Sequence, residues 1–298
     1  MNRTFALFLL MAGSVSAAES AVRVTTDVAF LAPGREEKLD LYLPAAPAAG
    51  KLSPAVVWIH GGGWTGGTKN ENRAKEICGV LAGAGYVCVS INYRLGDGAW
   101  PTNLLDCKNA VRFLRAHAKE YQLDPARIAV AGGSAGGHLA LMVGFTAGVK
   151  ELEPDAPYPG LSSAVRAVID LYGPADLLAG SKEGQPAMTK LMTSAQKSFG
   201  ATALDAAVYR AASATERAAK NSPPVLILHG RADPTVDFAQ SEGLARVLKE
   251  RGVEHELIAL DGVGHTFDFE QWNGKPLPRD LRPVALAFLE KHLAPGGR

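Results

Sequence analysis

Three short stretches of this 298-residue chain carry side chains that together could attack a carbonyl. Gly132-Gly133-Ser134-Ala135-Gly136 has the G-x-S-x-G form of a nucleophile elbow, a serine on a sharp turn between a strand and a helix. Such a turn strains the serine backbone, and small neighbours let strand and helix approach closely. The hydroxyl then stands clear at the strand's carboxyl end, and the first N–H groups of the helix face the reacting carbonyl. The plain alternative is a tight strand-to-helix turn with a solvent-facing serine.

An attacking hydroxyl needs a base, and the base needs an orienting acid; on this kind of scaffold they follow the serine in the order acid, then histidine. His229-Gly230-Arg231-Ala232-Asp233 and Gly262-Val263-Gly264-His265 each close an apolar, strand-like run. Ser134, Asp233 and His265 are therefore expected at one edge of a sheet, where open α/β sheets place their sites. Asp237, on the same loop, is the rival acid. His60-Gly61-Gly62-Gly63-Trp64 follows another apolar run. Its glycines can turn N–H groups toward a developing oxyanion. The expected donors are Gly62 and Gly63 with the Ala135 N–H, and Gly61 is the alternative. Trp64 is a candidate substrate-binding wall of the acyl pocket, with a buried loop anchor as the other reading.

The remaining histidines have plainer readings. His60 and His229 are loop-locking residues, His138 is packed, and His117 and His292 lie on helices. His255 has no partner nearby in sequence. No histidine pair has metal-site spacing and no Cys–His cluster exists, so no metal and no cofactor are expected. The glycine-rich run from Gly61 to Lys69 does not make a phosphate loop, because Lys69 is followed by Asn70 where a Ser or Thr is required.

The elements that must position these groups alternate. Strands are predicted at 21–30, 38–43, 55–59, 86–93, 128–131, 165–171, 225–228 and 256–260. Helices are predicted at 70–82, from Pro101 to a break at Asp124-Pro125, from the elbow to about Phe145, at 240–250 and at 281–292. That rhythm predicts an α/β chain with a mostly parallel central sheet and helices on both faces. Residues 176–221 break it, rich in Ala, Ser, Lys and Met; they predict a small helical insertion, either a cap over the site or a dimer surface. A single domain over 18–298 is the simplest organisation.

Composition excludes some partners. Charged residues make up 20% and the formal net charge is +1, with both signs mixed along the chain. Neither a nucleic-acid surface nor a polybasic membrane patch is expected. Residues 1–17 read as a signal peptide: Arg3, an apolar core from Phe5 to Ala12, then Val15-Ser16-Ala17. A secreted or periplasmic protein starting near Ala18 follows from that reading. Cys78, Cys88 and Cys107 are too few for a disulfide framework. Buried thiols are the favoured reading, with one bridge from Cys78 to Cys107 as the alternative.

Taken together, these motifs resemble the bifunctional feruloyl and acetyl (acetylxylan) esterase family, near the hormone-sensitive-lipase branch of the α/β hydrolases. The likeness also rests on Ile91-Asn92-Tyr93-Arg94, Asp106-Cys107-Lys108, Gly137-His138-Leu139 and Asp170-Leu171-Tyr172-Gly173-Pro174. It departs from that branch at Gly133, where many of its members carry an acidic residue. The resemblance implies an α/β-hydrolase fold and hydrolysis of short acyl esters, acetyl or feruloyl, on an oligosaccharide or polysaccharide such as xylan. The rivals are another hydrolase on the same scaffold, an arylformamidase or exopeptidase, and a non-catalytic binding protein that has kept the fold.

Overall fold

In a computed structural model, residues 22–45, 50–180, 186–201 and 206–296 are described. The leader read at residues 1–17 lies outside them. Along the chain run β1 (Arg23–Ala29), β2 (Lys38–Leu43), β3 (Ser53–Ile59), α1 (Asn72–Gly83), β4 (Val87–Ile91) and α2 (Thr102–Ala116). Then come β5 (Leu123–Gly133), α3 (Ala135–Phe145), β6 (Ala167–Leu171), α4 (Leu177–Gly180), α5 (Pro186–Phe199), α6 (Ala206–Ala212) and α7 (Ala214–Arg217). The chain continues through β7 (Val225–Gly230), α8 (Ala239–Arg251), β8 (His255–Leu260), β9 (Gln271–Trp272), β10 (Lys275–Pro276) and α9 (Arg282–His292).

Eight strands form one sheet in the order β1-β2-β4-β3-β5-β6-β7-β8. β1 pairs antiparallel with β2, and β2 with β4; the pairs from β4 through β8 are all parallel. The inner parallel strands β3, β4, β6 and β7 are buried along almost their whole length, as enclosure between two helical layers requires. In β3, Val57 and Ile59 enter one core while Val56 and Trp58 enter the other. The first core is closed by α2, α3, α8 and the helices of the insertion, and the second by α1 and α9.

Each helix shows why it docks. Ala74, Ile77, Cys78 and Leu81 give α1 one apolar face, and Leu104, Cys107, Val111 and Leu114 do the same for α2. α2 stops at Ala116, short of the expected Asp124. Beyond it the chain folds back, with Gln122 at φ 51° and the Leu123 N–H bonded to the Ala118 carbonyl, which carries it straight into β5. The three cysteines are free and buried. The bridge between Cys78 and Cys107 does not form, because the two lie in cores on opposite faces of the sheet. Cys78 instead meets Cys88, which donates to it at 2.8 Å.

The topology positions the site by aligning strand ends. Ile59 lies beside Gly132, and Gly230 beside Leu260. The carboxyl ends of β3, β5, β7 and β8 therefore share one edge, and the loops that leave them meet there.

Candidate active site

Ser134 stands between β5 and α3 with φ 57° and ψ −122°, a region that costs a non-glycine residue of order 1–3 kcal/mol. Two contacts hold it there: its N–H donates to the Leu171 carbonyl at 2.9 Å, and its carbonyl accepts the His138 N–H at 3.0 Å. The elbow also requires Gly136. A Cβ on that residue would lie 2.1 Å from the Ile59 carbonyl oxygen, so the start of α3 rests directly on the end of β3.

His265 Nε2 lies 2.9 Å from Ser134 Oγ, across 131 residues of sequence. His265 Nδ1 lies 2.6 Å from Asp233 Oδ2. The Nδ1–H of the imidazole thus donates to the carboxylate, leaving Nε2 to accept the serine proton. Tyr172 packs edge-on against the imidazole at 4.8 Å, and the Trp272 indole N–H donates to the His265 carbonyl at 3.0 Å.

Asp233 is held on both oxygens. Oδ1 accepts the N–H groups of Thr235 and Val236 at 2.8 and 3.0 Å. Oδ2 also receives His229 Nε2 at 3.2 Å. Burial alone would raise this carboxyl, but hydrogen bonds from His229 and His265, with the Val236 amide, outweigh it and hold the group well below the usual carboxylate range. His229 Nε2 faces two acceptors, Asp233 and the Val236 carbonyl, so it carries the proton; Nδ1 then accepts from Ser241 Oγ at 2.6 Å. Asp237, the rival acid, accepts the Ala239 N–H at the start of α8. It is Asp233 that reaches His265.

The glycine loop after β3 borders the same cleft, a cavity of about 400 Å³ whose walls include Gly61, Gly62, Gly63, Ser134 and His265. Gly62 and Gly63 have φ of 114° and 60°. Among the described residues their N–H groups bond no backbone acceptor, while the Gly62 carbonyl takes the N–H groups of Thr65 and Gly66. Ala135 is the first residue of α3, beside Ser134. The motifs outside the triad brace this loop. Tyr93 Oη donates to the His60 carbonyl at 2.9 Å, Asn92 Oδ1 accepts the Lys69 N–H at 2.7 Å, and Asp106 Oδ2 accepts the Arg94 N–H at 2.9 Å. His60 is buried, stacked on Tyr93 and hydrogen-bonded through Nδ1 to the Gly61 carbonyl; burial pushes its pKa down to about 4. Lys69 is buried against Asp40 at 2.6 Å.

Trp64 does not wall the acyl pocket. It is fully buried, its indole N–H donates to His138 Nδ1 at 3.2 Å, and it packs edge-on against His138 and Phe199. It takes the anchoring alternative, tying the glycine loop to α3 and to α5. His138 does more than pack: its Nε2 donates to the Ala212 carbonyl at 2.7 Å and so fastens the insertion to the elbow helix.

Several cleft residues carry no motif. Glu71 and Arg73 come from the start of α1, Lys190, Leu191 and Ser194 from α5, and Thr235 and Thr266 from beside the acid and the base. The insertion therefore supplies one wall of the cleft. The two threonines could have been found by adjacency; the others have no pattern that marks them. Among the described residues no group of three or more His, Cys, Asp or Glu side chains could hold a metal ion, and no helix is long and apolar enough to cross a membrane.

The BD-FAE family pattern matches residues 39–248, which takes in the glycine loop, the elbow and Asp233. The chain belongs to the BD-FAE family. That membership agrees with the resemblance carried by the motifs. Esterase LipQ of Mycobacterium tuberculosis is 30% identical over 82% of this chain, and the match covers 57% of LipQ. The chain thus spans little more than half the length of that curated relative. Among solved structures, a truncated carbohydrate esterase from gut microbiota superposes with a TM-score of 0.79 at 26% identity, covering 93% of this chain and 98% of that one. Esterase 2 of Thermogutta terrifontis, phosphonylated by sarin, gives a TM-score of 0.73 at 28% identity over 93% and 96% of the two chains. Like these two structures in architecture, the chain has the α/β-hydrolase fold.

Proposed function

We propose that this protein is a serine carboxylesterase that removes short acyl groups, acetyl or feruloyl, from carbohydrate such as xylan through an acyl-enzyme. One observation carries the reading: an unbroken line from Asp233 Oδ2 through His265 to Ser134 Oγ, with contacts of 2.6 and 2.9 Å, on the wall of an open cleft. His265 Nε2 takes the Ser134 proton as Oγ bonds to the ester carbonyl carbon. Asp233 fixes the imidazole tautomer and stabilises the imidazolium that results. The amides of Gly62, Gly63 and Ala135 receive the oxyanion, each worth roughly 2.7–4 kcal/mol in the transition state. The alcohol departs with the proton from His265. Water then repeats the route and releases the acid.

The membership and the relatives' names support ester hydrolysis, and the likeness to a carbohydrate esterase supports an acylated sugar. The leader at residues 1–17 supports export to the compartment where such polymers are met. The test is turnover of p-nitrophenyl acetate. Ser134→Ala should lower kcat by roughly 10⁶ with substrate binding largely retained. Near-normal turnover by that variant would overturn the assignment.

A further inference from the structure

Beside the catalytic cleft lies a second hollow of about 350 Å³, and Arg73 and Thr266 line both. One wall is the start of α1, with Asn72 and Glu76; the other is the β9–β10 hairpin with Gln271 and Asn273. We infer that this trough is the subsite for the alcohol half of the ester and that it takes a neutral, polyhydroxylated sugar. The inference rests on the esterase reading above and adds where the sugar lies.

The direction follows from the base. In ester cleavage the departing oxygen must collect its proton from His265 Nε2, so the alcohol half has to leave on the His265 side of Ser134. Thr266 is the next residue along the chain and forms the sill between cleft and trough. The acyl half is left with the rest of the cleft, where Leu191 and Ser194 of α5 form a wall.

The chemistry of the trough selects its guest. Asn72, Glu76, Gln271 and Asn273 are exposed, and among the described residues their side chains make no hydrogen bond or ion pair within the protein. They offer amide donors and acceptors plus one carboxylate, a set that answers adjacent hydroxyl groups and gives an alkyl chain nothing to bury against. Asp268 and Glu270 are occupied: Asp268 Oδ1 caps the hairpin by accepting the Glu270 and Gln271 N–H groups, and Glu270 pairs with Arg282 at 2.7 Å. Arg73 is neutralised by Glu71 at 3.3 Å. The carboxylates facing the hollow without a cationic partner are then Glu76 and Asp268, which together disfavour a uronate or phosphate, and Glu76 is free to accept hydrogen bonds from sugar hydroxyls.

The experiment compares kcat/KM for an acetylated xylo-oligosaccharide with kcat/KM for p-nitrophenyl acetate, whose alcohol half carries no free hydroxyl beyond the reacting oxygen. Both substituted positions are exposed, so folding is retained, and a thermal melt checks it. In the double variant Glu76→Ala, Gln271→Ala the ratio should fall roughly tenfold, as expected for the loss of two modest hydrogen bonds. A ratio equal to the parent's, in a variant that folds and hydrolyses both esters, overturns the trough and leaves the esterase reading intact. Turnover of both substrates by Ser134→Ala would instead overturn the esterase reading and the trough with it.

Discussion

Gly136→Ala should damage both catalysis and stability, while Gly79→Ala, also a helical glycine, should damage neither. The built Cβ at Gly136 would sit 2.1 Å from the Ile59 carbonyl oxygen and 2.4 Å from that of His60. Ordinary contact distances require the start of α3 to move away by about 1 Å or more. Ser134 is the N-cap of α3, so the nucleophile moves with it, and its 2.9 Å contact with His265 stretches beyond hydrogen-bonding range. A displacement of about 1 Å at a reacting group costs on the order of 10²-fold in rate. The forced separation of helix and strand costs roughly 1–3 kcal/mol of stability, which lowers Tm by about 2–4 °C for each kcal/mol in a chain of this size. At Gly79, within α1, a Cβ meets nothing within 4 Å, and Ala there should stabilise by roughly 0.5–1 kcal/mol. The assay is kcat on p-nitrophenyl acetate and Tm for both variants in one buffer. Parent-like kcat and Tm in Gly136→Ala would refute the reasoning, because the strand and helix would then not be in the contact described.

Two further outcomes follow. Asp233→Asn removes the acceptor that fixes the His265 tautomer and should lower kcat by on the order of 10⁴ with KM little changed; a loss under tenfold would show that another group orients the base. Asp170 is buried beneath α3, and burial pushes its carboxyl up to about 7 against the lowering effects of His229 and the Gly173 amide. A carboxyl raised in the folded state adds stability below its unfolded pKa, and that stability is lost as pH climbs through the folded value. Asp170→Asn should therefore gain on the parent between pH 5 and pH 8, by on the order of 1–4 kcal/mol in urea denaturation. A difference that stays constant over that window would contradict it.

The parts of the site visible in the sequence are those that a strand end delivers. Ser134, Asp233 and His265 each follow a short apolar run, and a parallel sheet brings such ends to one edge whatever their separation along the chain. Trp64 was ambiguous because an indole beside a glycine loop can face the cleft or the core; the outcome depends on Phe199, which arrives from the insertion. The insertion carries no strand to align it, and α5 is held by tertiary contacts such as the Gly98 and Trp100 amides bonding the Lys197 and Ser198 carbonyls. The short hairpin around Trp272 leaves no mark in the sequence either, since two-residue strands have no periodicity to read. The sequence carries α2 past its end because the apolar stripe continues through Ala118 and Tyr121, which still pack on the core after the backbone has turned.

The central claim is that Ser134 is a nucleophile made reactive by His265. It is tested most directly by treating the protein with paraoxon and mapping the adduct by peptide mass spectrometry. The expected result is one diethylphosphoryl group per chain, on the peptide that contains Ser134, absent from Ser134→Ala and strongly slowed in His265→Ala. An unmodified Ser134, or labelling as fast in His265→Ala as in the parent, would contradict it.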